Sequence, residues 1–108
     1  MLELPSPVKE FVETVNAHDN TGFLDAFTDD GVVDDWGREF TSRAVIEEWS
    51  DREFIGATGT MDVQRVDVDG DGVAVVADWR STHANGLSEL AFDTSGEKIA
   101  RMTIRGAD

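Results

Sequence analysis

The apolar residues of this chain recur at helical spacing in its first half and at every second position in its second half, and that change of period decides the class of fold. Val8, Phe11, Val12 and Val15 fall at i, i+3, i+4 and i+7, one stripe of an amphipathic helix of about three turns. Ser6 reads as its N-cap, with Pro7 at the first helical position. After a break at Asn16 to Asn20, Phe23, Leu24 and Phe27 mark a second, shorter helix that Asp29, Asp30 and Gly31 close. A short strand over Val32 to Asp35 follows. Thr41 or Ser42 then caps a third helix, with Val45, Ile46 and Trp49 as its buried stripe and Glu47, Glu48 and Asp51 facing water.

Beyond that helix the pattern alternates, and β-type segments are expected over Thr58 to Val68, Val73 to His83, Leu87 to Asp93 and Lys98 to Arg105. Asp69-Gly70-Asp71-Gly72, Asn85-Gly86 and Thr94-Ser95-Gly96 separate them. Asn-Gly is the strongest hairpin signal of the three, because a type I′ turn needs positive φ at both central residues. The segments therefore read as an antiparallel meander. Helices first and hairpins second give an α+β domain with one sheet face covered by helices. A single domain over residues 1–108 is expected, burying roughly two thirds of its unfolded surface, enough for one core and one small pocket.

Composition narrows the partners. The 23 acidic residues against 9 Lys and Arg give a net charge of -14, which repels phosphate backbones and anionic membranes alike. Nucleic acid and membrane are excluded as expected partners. Acids are spread along the chain rather than gathered in a tail, which fits a host with a salty cytoplasm or a high-GC genome. No cysteine is present, so disulfides, thiolate nucleophiles and Cys-ligated metals are excluded. Residues 1–10 lack the basic start and apolar stretch of a signal peptide, and the cytoplasm is the expected location.

Four segments carry a resemblance: Val8-Lys9-Glu10-Phe11-Val12, Asn16-Ala17-His18-Asp19, Phe27 through Asp35, and Ala44-Val45-Ile46-Glu47-Glu48-Trp49. Together with the element order they make the chain similar to the nuclear-transport-factor-2-like superfamily, which includes ketosteroid isomerases and SnoaL-like polyketide cyclases. The resemblance implies a cone, a strongly bent antiparallel sheet wrapped around the N-terminal helices with a pocket at its open end, in a family whose ligands are usually apolar ring systems. It implies a proton-moving carboxylate at Asp35. It implies, too, a homodimer formed through the outer sheet face. Two departures stand out: the isomerase tyrosine falls on Phe11, and the second donor, a protonated acid, falls near Ser88. Steroid isomerase chemistry therefore lacks its donor pair.

Around Asp35, other residues suggest a site. His83 shares strand parity with Trp79, so it reaches the cone mouth if Trp79 points inward, where it can act as acid or base. Ser88 shares a face with Leu90 and Phe92 and offers a polar group inside the cone. Trp49 and Trp79 suit core packing first and pocket walls second, as does Phe11 for the resemblance's pocket, while Trp36 suits the rim. His18, between two helices, is expected to make a structural hydrogen bond. Arg101 and Arg105, opposite in parity to Met102 and Ile104, belong on the outer face.

Asp67-Val68-Asp69-Gly70-Asp71-Gly72 with Asp78 has the spacing of a calcium-binding EF-hand loop, yet its flanks are β-branched and alternating, so it reads as a turn. No metal or other cofactor is expected. Two functions fit these residues. One is a hydrophobic small-molecule site with proton transfer beside a carbonyl, using Asp35 as base, His83 as acid and Ser88 as donor, walled by Phe11, Trp36, Trp49, Trp79 and Phe92. The other is a non-catalytic dimeric module that binds a ligand or a partner protein.

Overall fold

The structure, a computed structural model, describes residues 3–70 and 72–107; Asp71 of the β-turn motif and the first two residues of the chain lie outside that range. Three helices, α1 (Val8–Asn16), α2 (Asn20–Asp25) and α3 (Arg43–Glu53), accompany six strands. The strands are β1 (Phe27–Asp35), β2 (Arg38–Thr41), β3 (Thr60–Asp69), β4 (Gly72–Arg80), β5 (Gly86–Ser95) and β6 (Lys98–Gly106). They form one sheet in the order β2-β1-β6-β5-β4-β3. The meander from β3 to β6 is antiparallel as the alternation requires, and β1 joins it by a parallel pairing with β6. This is the α+β cone.

The helical stripe forms as its spacing dictates: Val8, Phe11, Val12 and Val15 are all buried. Phe11 is fully enclosed, with ring centroids at 5.5 Å from Phe23, 5.7 Å from Phe27 and 5.3 Å from Phe92. Each such side chain contributes about 1.5–3 kcal/mol by leaving water. The pleat of β4 alternates without a break, with Val73, Val75, Ala77 and Trp79 inward.

Local expectations differ from the structure at four places. Ser6 does not cap α1; its hydroxyl donates to Glu10 and the cap position is Pro7. Phe27 opens β1 instead of closing α2, so β1 begins five residues earlier than its apolar end suggests. The acidic stretch that reads as a helix stop is a bulge: between Phe27 and Val32 the pairing advances only from Ile99 to Arg101. Gly31 sits buried there, where a Cβ would lie 3.1 Å from Phe27 Cβ. Ser42 caps α3, but Val45 is 39% exposed and the buried face is Ile46, Trp49 and Ser50.

Arg101 and Arg105 do lie on the outer sheet face, and both reach Asp34, at 2.8 and 3.0 Å. The Arg105 hydrogen bond, followed by the Gly37 amide at 2.7 Å, holds the Asp34 carboxyl below its ordinary pKa of 3.8. A depressed carboxyl stabilises the fold above its unfolded pKa and loses that contribution as pH falls through the folded value. Asp34→Asn should therefore melt below the parent at pH 7, with the gap closing as pH drops under 3.8. Thermal unfolding of both proteins across that range checks it, and a gap independent of pH would contradict it.

Candidate functional site

The open end of the cone holds a cavity of about 180 Å³. Its wall is a ladder of rings. Phe54, just past α3, stacks between Trp49 at 4.8 Å and Trp79 at 4.5 Å, and Phe40 of β2 covers the far face of Trp49 at 5.9 Å. Trp79 can lie this deep because Gly59 has no side chain; a Cβ there would fall 2.0 Å from the indole Cη2. Leu90 and Ile104 supply the aliphatic side and Ser88 a hydroxyl.

The polar side begins at the β1–β2 turn. Trp36 and Gly37 have φ of 55° and 91°, both positive as a two-residue type I′ turn demands, and Asp35 pairs with Arg38 across it. That turn sets the acid and the base side by side. Arg38 donates to Asp35 Oδ2 at 2.5 Å, and Trp49 Nε1 donates to the same oxygen at 3.1 Å. The Arg38 guanidinium also forks onto Glu53, at 2.7 and 3.1 Å. Its hydrogen bond from Arg38 is the main reason the Glu53 carboxyl titrates below its usual range, and the Glu53 bond likewise raises the Arg38 pKa. Glu53 Oε1 then meets His83 Nε2 at 3.2 Å.

His83 does not end a strand. β4 stops at Arg80, and residues 81–85 form a loop built on Ser81, whose Oγ donates to Ala84 O and accepts from the His83 and Ala84 amides. Asn85-Gly86 is not the centre of a two-residue turn. Asn85 spends its side-chain oxygen on the Ser81 amide, and of that pair only Gly86 has positive φ. The loop is tied down further by Thr82 N on Ala57 O, so His83 is held where it meets Glu53.

Of the residues singled out in the sequence, Asp35, Trp36, Trp49, Trp79, His83 and Ser88 all border this one cavity. Trp36 is at the rim, 64% exposed. Phe11 and Phe92 do not border it; their rings meet edge to face in the core behind it. They are shut off from it because the bulged start of β1 brings Phe27, and α2 brings Phe23, into the narrow end of the cone, which is solid. His18 lies apart, with Nε2 3.0 Å from Gly59 O, a structural bond as expected. Of the acidic motif, Asp67 and Asp69 lie on β3 and Gly72 and Asp78 on β4, with Arg65 on Asp67 and Arg80 on Asp78.

Arg38, Glu53 and Phe54 were not among the sequence candidates. Two of them had a signal: Glu53 is four residues after Trp49 on the same helix face, and Arg38 closes a two-residue turn opposite Asp35.

The chain is an α+β cone, a bent sheet around a helix, hollow at one end and lined there by rings and a few charges. Residues 8–107 match the SnoaL-like domain family, and the chain belongs to it. A protein of Sinorhizobium meliloti assigned as a polyketide cyclase superposes with a TM-score of 0.84 at 22% identity, over 94% of this chain and 95% of that one. The epoxide hydrolase/cyclase-like enzyme SalBIII, of pyran ring formation in salinomycin, matches at 0.81 and 22%, over 90% and 84%. A Mycobacterium tuberculosis protein in complex with estradiol-17beta-hemisuccinate matches at 0.77 and 18%, over 95% of both chains. No curated protein matches the chain.

Proposed function

We propose that the chain binds a hydrophobic small molecule in the cone and moves a proton next to its carbonyl group, as in an isomerisation or cyclisation. The observation that carries this reading is the meeting of a carboxylate and an imidazole on one ring-walled cavity. Arg38 and Trp49 both donate to Oδ2 of Asp35, so Oδ1 is the oxygen left to take a proton from the carbon acid. Nε2–H of His83 donates to Glu53, so in the doubly protonated imidazolium Nδ1–H is the proton given to the carbonyl oxygen, leaving a neutral ring with Nε2–H still on Glu53. The C–H electron pair becomes the C=C bond and the carbonyl π pair takes the His83 proton, giving an enol; returning the proton elsewhere completes an isomerisation. Ser88 supplies a further hydrogen bond to the developing oxyanion. Glu53 orients the imidazole. The two cyclase-type proteins named above support a cyclisation by likeness of fold.

Deuterium exchange at the α-carbon of a cyclic ketone, followed by NMR in D2O with and without protein, tests this function. Protein-dependent exchange is expected. Tight binding without any exchange would leave the ligand-binding module and remove the reaction. Two copies meeting on the outer face fit the small residues Ala74 and Ala91, paired on that face, and a one-chain sedimentation weight would remove the dimer.

A further inference from the structure

The size and charge of the cavity restrict what enters it. A closed cavity of about 150 Å³ with apolar walls holds benzene. This one, at about 180 Å³, has room for a single ring and a substituent. The cone cannot extend the space inward, because Phe11, Phe23, Phe27 and Phe92 fill the narrow end. Anything beyond the first ring lies in the mouth, where Trp36 and Arg38 are mostly in water and additional apolar surface gains little.

Charge acts as a second filter. Asp35 and Glu53 both border the cavity, and the two terminal nitrogens of Arg38 are already engaged by those two carboxylates. Arg38 is thus shared between two carboxylates and His83 is held against one of them, Glu53, so both basic groups of the lining are already engaged, inside a chain of net charge -14. An entering carboxylate would have to compete with Asp35 and Glu53 for Arg38 and His83, or bury its charge unpaired. Ring faces are also scarce: Trp49 and Phe54 have both faces covered within the ladder, so they present edges, which carry positive partial charge and suit carbonyl oxygens and the faces of another ring.

We infer that the ligand of this cavity is an uncharged carbonyl compound built on one substituted ring, neither a four-ring skeleton nor an acid, an inference that rests on the ligand-binding reading above. Calorimetric titration with 4-hydroxyacetophenone, 4-hydroxybenzoate and progesterone tests it. The ketone is expected to bind, the benzoate at least about tenfold more weakly, and progesterone no more tightly than the ketone. Progesterone binding about tenfold tighter, or benzoate equal to the ketone, overturns the assigned class while leaving a hydrophobic-ligand site standing. Failure of all three to bind overturns both. Ser88→Leu and Ala84→Leu, which fill the cavity from a strand and from the loop, should each weaken the ketone by about tenfold or more. Unchanged affinity in either folded variant places the ketone elsewhere and overturns the inference.

Discussion

Phe11→Ala is expected to lower the unfolding free energy by about 3–5 kcal/mol. The ring is fully enclosed and meets three others within 5.7 Å, so truncation leaves a void that neighbours from α2, β1 and β5 cannot all collapse into. A small domain has about 5–15 kcal/mol in total, and the variant should sit near the edge of stability. Urea unfolding measures the loss. The milder Phe11→Leu should keep the fold and keep ligand affinity, because Phe11 lies behind the cavity and not on it. A loss below about 1 kcal/mol for the alanine variant would contradict the packing described.

Asp35→Asn is expected to slow ketone α-exchange by about 10²–10⁴-fold, the usual worth of a positioned general base. The fold should survive, since the amide oxygen can still accept from Trp49 Nε1 and Arg38. Exchange rate and melting curve are measured on the same preparation. Exchange at the parent rate would assign the base elsewhere, and a collapsed melting curve would make Asp35 a structural anchor of the β1–β2 turn.

Much of this architecture is visible before any coordinates. Period alone separates α1 from the β3–β6 meander, because a helix stripe and a strand face need incompatible spacings. What the period cannot reveal is pairing between distant segments. The parallel register of β1 on β6, which leaves the β2 hairpin arm at the sheet edge, arises from long-range contacts with no local signature. Phe27 illustrates the limit: its spacing from Phe23 and Leu24 suits a helix, yet the bulge around Gly31 makes it the first residue of a strand.

The site was legible in the same uneven way. Strand parity is enough to bring Ser88 and Trp79 inward, since pleating fixes which side each residue faces. His83 reaches the cavity by another route, the Ser81-centred loop, that parity does not describe. The Asp35–Arg38–Glu53–His83 chain of contacts has no sequence signature as a whole because it links a turn, a helix end and a loop that meet only in the folded cone. The resemblance points Phe11 at the pocket and strand parity turns Phe92 inward, but neither shows how deep a side chain lies, and aromatic packing from α2 and β1 closes the space around both.

Isotope-filtered NOE measurements on the protein saturated with 4-hydroxyacetophenone locate the bound ring directly. Contacts from ligand protons to the Trp79 indole and to the Leu90 and Ile104 methyls, with none to Phe11 or Phe92, are expected. Contacts confined to the outer sheet face around Ala74 and Thr103, or a ring found among the core phenylalanines, would contradict a hollow mouth guarded by Asp35.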